Sequence, residues 1–266
     1  METVAPFKEV LDEIKEAGGD AFKLCFQCGL CDVVCPWNRV RQFSMRRIIR
    51  EATFGLTEID GEDIWRCTTC GKCPDRCPRG VKQIELGVSL RRVATDYEVF
   101  PASVRSARTA RASLISEGNP LQGEGKKRAD WAKGLSVKSF AEGMEVLYFV
   151  GCYLSYDPRM KKVAVATVNI LNKAGVAFGI LGDKEKCCGE SIRKTGSEEV
   201  FKSLARDNIK TFIDSGVKKI IVSSPHCYHT LKNEYPEFMV NFEVVHISQY
   251  PVSYTHLRAH ETADVI

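Results

Sequence analysis

The chain has 266 residues, of which 44% are hydrophobic and 27% are charged, so it can bury a core in one large or two small domains. The formal net charge is +4, but the basic residues are mixed with Asp and Glu throughout, a pattern that does not indicate a nucleic-acid-binding surface. No apolar run approaches the length of a membrane-spanning helix, and residues 1–10 do not form a secretory signal peptide.

The first predicted element is an amphipathic helix. Apolar residues recur at helical spacing from Phe7 to Ile14, and Gly18 and Gly19 follow as a glycine cap. We therefore expect this helix to end immediately before the first cysteine run.

Two cysteine runs share the spacing C-x-x-C-x-x-C-x-x-x-C-P. They are Cys25, Cys28, Cys31 and Cys35 before Pro36, and Cys67, Cys70, Cys73 and Cys77 before Pro78. In proteins with two 4Fe-4S clusters, the first three thiolates of such a run hold one cluster and the fourth ligates the other cluster. The spacing therefore predicts two clusters with crossed ligands: Cys25, Cys28, Cys31 and Cys77 for cluster 1, and Cys67, Cys70, Cys73 and Cys35 for cluster 2.

Zinc and disulfides explain these runs less well. A structural zinc site would not need a third thiolate three residues further on in both copies, and cysteines this close in sequence make poor disulfide partners. We accordingly expect reduced cysteines and a cytoplasmic location, or a peripheral one on the cytoplasmic face of a membrane complex.

Two more helices are predicted in the first part of the chain, over residues 43–54 and 82–95, because their apolar residues recur on one face. Residues 1–117 are therefore interpreted as an all-helical, ferredoxin-like module that binds two 4Fe-4S clusters. The arginines between Arg39 and Arg50 form either a solvated helix face or a docking surface for an acidic redox partner.

The second part of the chain has a different pattern. Residues 118–144 are rich in Gly, Lys and Ser and are interpreted as an irregular connector. Short apolar runs then alternate with amphipathic helices, which predicts a parallel α/β domain over residues 145–250. The predicted strands are residues 146–150, 177–181, 219–223 and 243–247, and the predicted helices are residues 160–173 and 198–214.

Four cysteines remain, and each follows a predicted strand. Cys152 follows the first strand, Cys187 and Cys188 precede Gly189 in the loop after the second, and Cys227 follows the third. Loops after parallel strands emerge at one edge of a sheet, so these four thiols should converge. We predict a third iron-sulfur cluster on them, with scattered core cysteines as the alternative; a glycine at 189 would let the backbone turn closely around a cluster.

Around these cysteines the sequence resembles the cysteine-rich CCG domain found in the D-type subunit of heterodisulfide reductase and in its relatives. The resemblance rests on Gly151-Cys152, residues 185–190 (EKCCGE), residues 224–227 (SPHC) and residues 234–236 (EYP). It implies that the helical module passes electrons to the CCG cluster, where a disulfide is split in two one-electron steps. It further implies a catalytic role for Cys187, Cys188 and Cys227, with His226 as a weaker candidate proton donor. The implied partners are a flavoprotein or a membrane b-type cytochrome subunit, and a thiol or disulfide substrate.

Two departures from the family pattern open a second interpretation. Ser224 stands where the family has a cysteine, and the chain has one CCG repeat where family members generally have two. We interpret residues 145–250 as the first repeat of a truncated protein and residues 251–266 as a non-native tail, so the isolated chain is expected to be inactive as a disulfide reductase. The alternative function is electron relay alone, as in the iron-sulfur subunits of flavin-dependent glycolate, lactate and glycerol-3-phosphate dehydrogenases.

Overall fold

A computed structural model of the chain describes residues 7–55 and 61–250. These residues form two compact units. Among the described residues, the first unit comprises residues 7–55, 61–108 and 191–198, and the second comprises residues 109–190 and 199–250. The tail predicted at residues 251–266 lies outside the described residues.

The first unit is helical, as the sequence predicts. Its helices are α1 (Lys8–Glu16), α2 (Leu30–Val34), α3 (Met45–Thr53), α4 (Asp63–Arg66) and α5 (Gln83–Asp96). The predicted glycine cap is present after α1, where Gly18 has a φ of +96° and the N–H groups of Gly18 and Gly19 donate to the carbonyls of Lys15 and Ile14. A further helix, α6 (Ser106–Glu117), follows α5 along the chain.

The core of the first unit explains the amphipathic pattern of α3. Met45, Ile48 and Ile49 are buried, and the Ser44 hydroxyl caps the helix by accepting from the Arg47 N–H. The arginines of this helix lie on its other face. Seven other buried residues of this core come from α1, α5 and the segments between them: Ile14, Phe22, Phe43, Ile64, Val81, Leu86 and Leu90.

The second unit contains the predicted parallel sheet. Its strands are β1 (Val146–Phe149), β2 (Phe178–Gly179), β3 (Lys219–Val222) and β4 (Glu243–His246), in the order β2-β1-β3-β4. All three neighbouring pairs are parallel. The accompanying helices are α7 (Cys152–Tyr156), α8 (Lys161–Lys173), α10 (Glu198–Asp214) and α11 (Pro225–His229), and a π-helical turn occupies Thr230–Glu234. Apart from Glu190, helix α9 (Glu190–Lys194) belongs to the first unit.

Both faces of this sheet are covered, because all four residues of β1 are buried. Successive strand residues point to opposite faces, and Tyr148 makes an edge contact with Trp131 while Phe149 makes one with Phe212. Trp131 belongs to the segment that the sequence predicts as a connector, and its buried ring is part of the core of the second unit. The confirmed fold class is therefore a helical module followed by a parallel α/β domain.

Strand order places the cysteines of the second unit at one edge. The neighbours of β1 are β2 and β3, so the connections after β1 and after β2 leave in opposite directions across the sheet. The loops that follow β1 and β3 meet at this switch point, and they carry Cys152 and Cys227. Separately, none of the helices in residues 7–55 and 61–250 has the length and apolar character needed to cross a membrane.

Candidate iron-sulfur centres

The two cysteine runs of the first unit have the same backbone conformation. In the first run Gln27 and Gly29 have φ values of +66° and +84°, and in the second run Thr69 and Gly71, at the same positions, have φ values of +54° and +85°. Alternation between left-handed and ordinary conformations turns successive N–H groups toward one side, which creates a concave site for an anionic group. Both loops are thus shaped to surround such a group.

The structure brings Cys77 to the first run. Cys25, Cys28, Cys31 and Cys77 line one cavity. Two donors point at its sulfur atoms: the Gln27 amide lies 3.4 Å from Cys25 Sγ, and the Val81 N–H lies 3.3 Å from Cys77 Sγ. Burial acts to raise the pKa of Cys77, but hydrogen bonds from the backbone N–H groups of Arg79 and Val81 outweigh it and lower that pKa.

Cys35 lies correspondingly with the second run. Burial raises the pKa of Cys73 to about 12, and the nearby thiolates of Cys67, Cys70 and Cys35 act in the same direction. Cys35 also raises the pKa of Cys67, for which burial is the largest cause. These two groupings support the crossed ligand assignment, which stays a prediction.

Arg91 is a buried cation beside the second run. Its guanidinium donates to the carbonyls of Ile64, Cys67 and Lys194 at 2.9, 2.6 and 2.9 Å, and the residue is only 5% exposed. Burial lowers the pKa of Arg91, and the charge of Cys67 opposes that effect. Because these three hydrogen-bond partners are neutral carbonyl oxygens, the cysteine thiolates are the negative charges that face this cation.

The first unit also contains polar atoms suited to an anionic group. Within the described part of the chain, the indole N–H groups of Trp37 and Trp65 are buried and have no acceptor. Both tryptophans pack against the same core as the cysteines of the two runs. Orphan donors, sulfur-directed N–H groups and a buried cation together fit the negative charge of thiolate-bound clusters. No three Cys, His, Asp or Glu side chains among residues 7–55 and 61–250 are arranged as a site for a single metal ion.

In the second unit the four remaining cysteines converge. Cys152, Cys187, Cys188 and Cys227 are all buried. Their thiols influence one another in series: Cys152 acts on Cys187, Cys187 on Cys188 and Cys188 on Cys227. Cys152 and Cys187 are 35 residues apart in the sequence, and Cys188 and Cys227 are 39 apart. The strand order brings them to the same edge of the sheet, as the sequence analysis predicts.

These contacts favour protonated thiols in the absence of a metal. The hydrogen bond with Cys187 raises the pKa of Cys152 well above its ordinary value, and burial adds to the effect. The hydrogen bond with Cys152 lowers the pKa of Cys187, but the contact with Cys188 and burial outweigh it, so the pKa rises to about 12. Binding of iron must therefore displace protons from this set.

A buried ion pair lies against Cys152. Arg128 Nη2 is 2.7 Å from Glu185 Oε1, and the side chains of the two residues are 3% and 2% exposed. The guanidinium nitrogens also lie 3.6 and 3.7 Å from Cys152 Sγ. The Glu185 carboxylate accepts further hydrogen bonds from the N–H groups of Val150 and Gly151, at 2.9 and 2.8 Å. Glu185 therefore joins the end of β1 to the loop that carries Cys187 and Cys188.

Asn208 and Tyr235 hold the same loop from its other side. The Asn208 amide accepts from the Lys186 N–H at 3.1 Å and donates to the Cys187 carbonyl at 3.0 Å. Tyr235 Oη donates to the Cys188 carbonyl at 3.2 Å and accepts from Asn208. Because both residues are buried, the two adjacent cysteines are fixed at the backbone as well as through their sulfur atoms.

Two glycines allow the cysteine loops to pack closely. Gly151 has φ +80° and ψ 166°, and a Cβ atom there would lie 3.0 Å from Cys227 Sγ. Gly189 has a φ of +89°, but its missing Cβ would meet the Phe201 ring at 2.6 Å. The Gly189 N–H donates to Cys187 Sγ at 3.4 Å, so the backbone does turn closely beside a cysteine at this glycine, and the Phe201 ring leaves no room for a side chain there.

Ser224 and His226 have defined local partners. The Ser224 side chain caps α11 by accepting from the Cys227 N–H at 3.5 Å. His226 Nδ1 lies 3.1 Å from Glu190 Oε1, and the His226 side chain is 69% exposed. His226 is thus a solvent-accessible group beside the cysteine loops, whereas His229 contacts Asn233 and Glu234.

Sequence reasoning misses the polar residues that support the cysteines. Arg128 lies in a stretch without periodicity, and Arg91 and Asn208 lie within helices, where the pattern gives no sign of a role. Glu185 adjoins the paired cysteines in the sequence, which is the one available signal. Burial of a charged residue depends on tertiary contacts and cannot be deduced from composition or spacing.

Comparison with protein-family models also assigns the two groups of cysteines to two different domains. Residues 21–81 match the 4Fe-4S dicluster domain, and residues 146–232 match the cysteine-rich domain named CCG. The two matched segments contain all twelve cysteines of the chain. Arg128 lies outside both of them.

Two curated relatives show the range of proteins to which the chain is similar. It is 37% identical over 199 residues to EtfAB:quinone oxidoreductase of Syntrophomonas wolfei, an alignment that covers 72% of this chain and 28% of the relative. It is 30% identical over 257 residues to the D-type subunit of dihydromethanophenazine:CoB--CoM heterodisulfide reductase from Methanosarcina mazei, covering 85% of this chain and 61% of the relative. The chain therefore spans less than two thirds of the length of either relative.

Proposed function

Because this chain joins a 4Fe-4S dicluster domain to a CCG cysteine-rich domain and is related to the D-type subunit of heterodisulfide reductase, we propose that it is an iron-sulfur electron-transfer subunit of a disulfide-reducing complex. Cys25, Cys28, Cys31, Cys35, Cys67, Cys70, Cys73 and Cys77 of the first unit would hold two clusters that would carry electrons. The four cysteines of the second unit would hold the centre that would supply two electrons to a disulfide, which would take up two protons as well and leave as two thiols.

One observation carries this proposal. Cys152, Cys187, Cys188 and Cys227 come from three separate loops, yet their thiols are in continuous contact in a buried site. Isolated core cysteines would have no reason to meet in this way. A shared inorganic centre accounts for the convergence, since four thiolates at one position are the usual ligand set of an iron-sulfur cluster.

An iron-sulfur cluster, when bound, supplies one-electron redox chemistry and an iron atom that can accept a thiolate. The chain supplies the environment of that chemistry. Cys152, Cys187, Cys188 and Cys227 would act as ligands, and we assign Cys187, Cys188 and Cys227 a role in the reaction with the disulfide. Arg128 places a positive charge against Cys152 and thereby reduces the cost of adding electrons to a buried, negatively charged centre.

Protons reach the substrate from the exposed side. His226 is accessible to solvent and lies next to Cys227 in the sequence, and Glu190 positions its ring through Nδ1. The other ring nitrogen is then available to donate a proton to a departing thiolate. We assign His226 this role as a proton donor to the product thiols.

The partners that we propose come from the resemblance to heterodisulfide reductase subunits and their relatives. A flavoprotein or a membrane b-type cytochrome subunit supplies the electrons, and reduced cysteines require a cytoplasmic location, free or on the cytoplasmic face of the membrane. Disulfide substrates need a surface that holds both halves. We therefore propose that turnover requires a partner subunit.

The test is anaerobic reconstitution of the chain with iron and sulfide, followed by a viologen-linked assay with several disulfides. The expected result is uptake of electrons by three centres, with slow or no turnover of disulfide by the isolated chain. Cys188→Ala should remove only the third centre, and Cys70→Ala should damage only a cluster of the first unit. Reduction of two centres alone in the unmodified chain would exclude a cluster on the CCG cysteines and contradict the proposal.

A specific observation favours a second candidate, electron relay for a flavin-dependent dehydrogenase. Ser224 occupies the position of a family cysteine and is engaged as the cap of α11, so it offers no fifth thiolate for a larger, noncubane cluster. An ordinary four-cysteine cluster suits relay as well as disulfide chemistry. If the assembled complex reduces its third centre without consuming any disulfide, relay is the correct function.

A further inference from the structure

The mouth of the first cysteine cavity has a distinct surface composition. This cavity-mouth surface consists of Phe26, Cys28, Leu30, Arg46 and Arg79, all of which line the cavity shared by Cys25, Cys31 and Cys77. Phe26 is 58% exposed and Leu30 is 43% exposed. Exposed aromatic and aliphatic side chains beside arginines are typical of the centre and rim of a protein interface.

Apart from the cysteine, the ionised residues of this surface are Arg46 and Arg79, and both are positively charged. Arg46 has a 52% exposed side chain, and its nearest carboxylate, Asp32, lies 3.9 Å from Nε. Arg79 is exposed, and within the described part of the chain no carboxylate is paired with it. Asp32 itself accepts from the Ser44 hydroxyl at 2.7 Å and from the Arg46 N–H at 3.0 Å, so its charge is already engaged within the unit.

Cys28 is the residue that would bring a redox group to this surface. It is one of two cysteines in the chain that are exposed, and it lies between Phe26 and Leu30 in the sequence. A cluster bound by Cys28 would therefore have its edge at the protein surface, which the buried cysteines of the second unit do not provide. Electron transfer between proteins needs such a close approach of the two redox groups.

Building on the function proposed above, we propose that the cavity-mouth surface is the docking site of the electron-donating partner, and that this partner is an acidic flavoprotein. Its carboxylates pair with Arg46 and Arg79, and its apolar contact covers Phe26 and Leu30. One electron leaves the flavin hydroquinone, which becomes the semiquinone, and the first cluster gains that electron. Steering by opposite charges raises the rate of association rather than the intrinsic rate of electron transfer.

The experiment uses a strongly acidic flavodoxin, reduced to the hydroquinone, as the probe. The reconstituted full chain is mixed with it by stopped flow, and cluster reduction is followed at several salt concentrations. In the Arg46→Gln/Arg79→Gln variant we expect the second-order rate constant at low salt to fall about tenfold or more and its salt dependence to weaken. Arg105→Gln is the matched control, because Arg105 is exposed in the same unit and does not line the cavity.

A second reductant distinguishes an effect of the arginines on docking from an effect on the reduction potential of the cluster. Methyl viologen radical is a small cation that needs no docking surface, so its reaction with the double variant should be as fast as with the unmodified chain, or faster. Equal slowing with flavodoxin and viologen would mean that the arginines set the reduction potential, and an unchanged flavodoxin rate would mean that docking occurs elsewhere. Either result overturns this inference while leaving the viologen-reducible clusters, and thus the proposed function, intact.

Discussion

Arg128 donates to Glu185 over 2.7 Å in a site closed to solvent, and the same guanidinium lies 3.6 Å from the sulfur of Cys152. One cation therefore faces a carboxylate and a cluster ligand together. Burial alone would lower the pKa of Arg128, but the charges of Cys152 and Glu185 outweigh burial and raise it well above its ordinary value. The guanidinium is thus permanently charged, and it links the end of β1 to residues 118–144.

Replacement of Arg128 by methionine should strongly destabilise the second unit. The change keeps much of the side-chain volume but leaves the Glu185 carboxylate buried without its cation, a loss of roughly 3–5 kcal/mol in the free energy of unfolding. Denaturant unfolding of the iron-free chain measures the change.

The adjacent pair of Lys127 and Glu124 is the matched control. It joins the same kinds of charge one residue away, but both side chains are exposed. Lys127→Met should therefore change the free energy of unfolding much less than Arg128→Met does. Equal effects of the two substitutions would show that burial of the Arg128 pair has no energetic consequence.

Gly151→Ala should disturb the third centre itself. Backbone angles of φ +80° and ψ 166° are accessible to glycine almost alone, and the new methyl group would lie 3.0 Å from Cys227 Sγ. We expect reconstitution of the third centre to fail while both clusters of the first unit form, as measured by iron content and paramagnetic resonance.

Gly175→Ala tests whether backbone strain alone, without crowding of Cys227 Sγ, can prevent assembly of the third centre. Gly175 also has a left-handed φ, +69°, but a Cβ atom there would meet no other atom within 4 Å. This variant should lose about 1 kcal/mol of stability and still assemble the third centre. Loss of the third centre in both variants would mean that strain in the second unit, and not the approach to Cys227, is responsible.

Much of the architecture can be deduced from the sequence because it depends on local periodicity. The apolar spacing of α3 and α10 and the short buried runs of β1 and β3 have few alternative interpretations. The convergence of Cys152, Cys187 and Cys227 also follows, since parallel strands direct their following loops to one edge.

The buried polar residues that support the cysteines could not be deduced in this way. Arg128 pairs with Glu185 across 57 residues, and Arg91 reaches the Lys194 carbonyl across 103 residues. Neither contact has a periodic or spacing signature, and a charged residue in a polar stretch is normally exposed. Gly189 illustrates the same limit: the sequence indicates correctly that the backbone turns closely beside a cysteine, but only packing reveals that Phe201 also excludes a side chain at this position.

Stability of the iron-free chain should fall as the pH rises above about 9. Cys187 has a pKa of about 12 in the folded state against an ordinary value of 9.0, so above pH 9 the unfolded state loses a proton that the folded state retains. A group with a raised folded pKa contributes its stability below the unfolded pKa, and that contribution is lost between pH 9 and 12 at about 1.4 kcal/mol per pH unit.

The Cys187→Ser variant removes this contribution, because serine does not ionise in the range, and it also removes the thiol that raises the pKa of Cys152. The difference in unfolding free energy between the unmodified chain and the variant should decline steadily from pH 9 to pH 11, as measured by denaturant unfolding at each pH. A difference that is constant over this range would show that the Cys187 thiol titrates alike in both states.

The last prediction concerns the crossing of the ferredoxin-type ligands. Cys35 follows the first run in the sequence, but its charge acts on Cys67 and Cys73, whereas Cys77 lines the cavity of Cys25. Cys35→Ala should therefore damage the same cluster as Cys70→Ala, and paramagnetic resonance of the dithionite-reduced variants should show the same signal lost in both. Cys28→Ala provides the contrast, because its thiolate belongs to the other cavity. If Cys35→Ala instead reproduces the spectrum of Cys28→Ala, each run binds its own cluster and the exchange of fourth ligands is wrong.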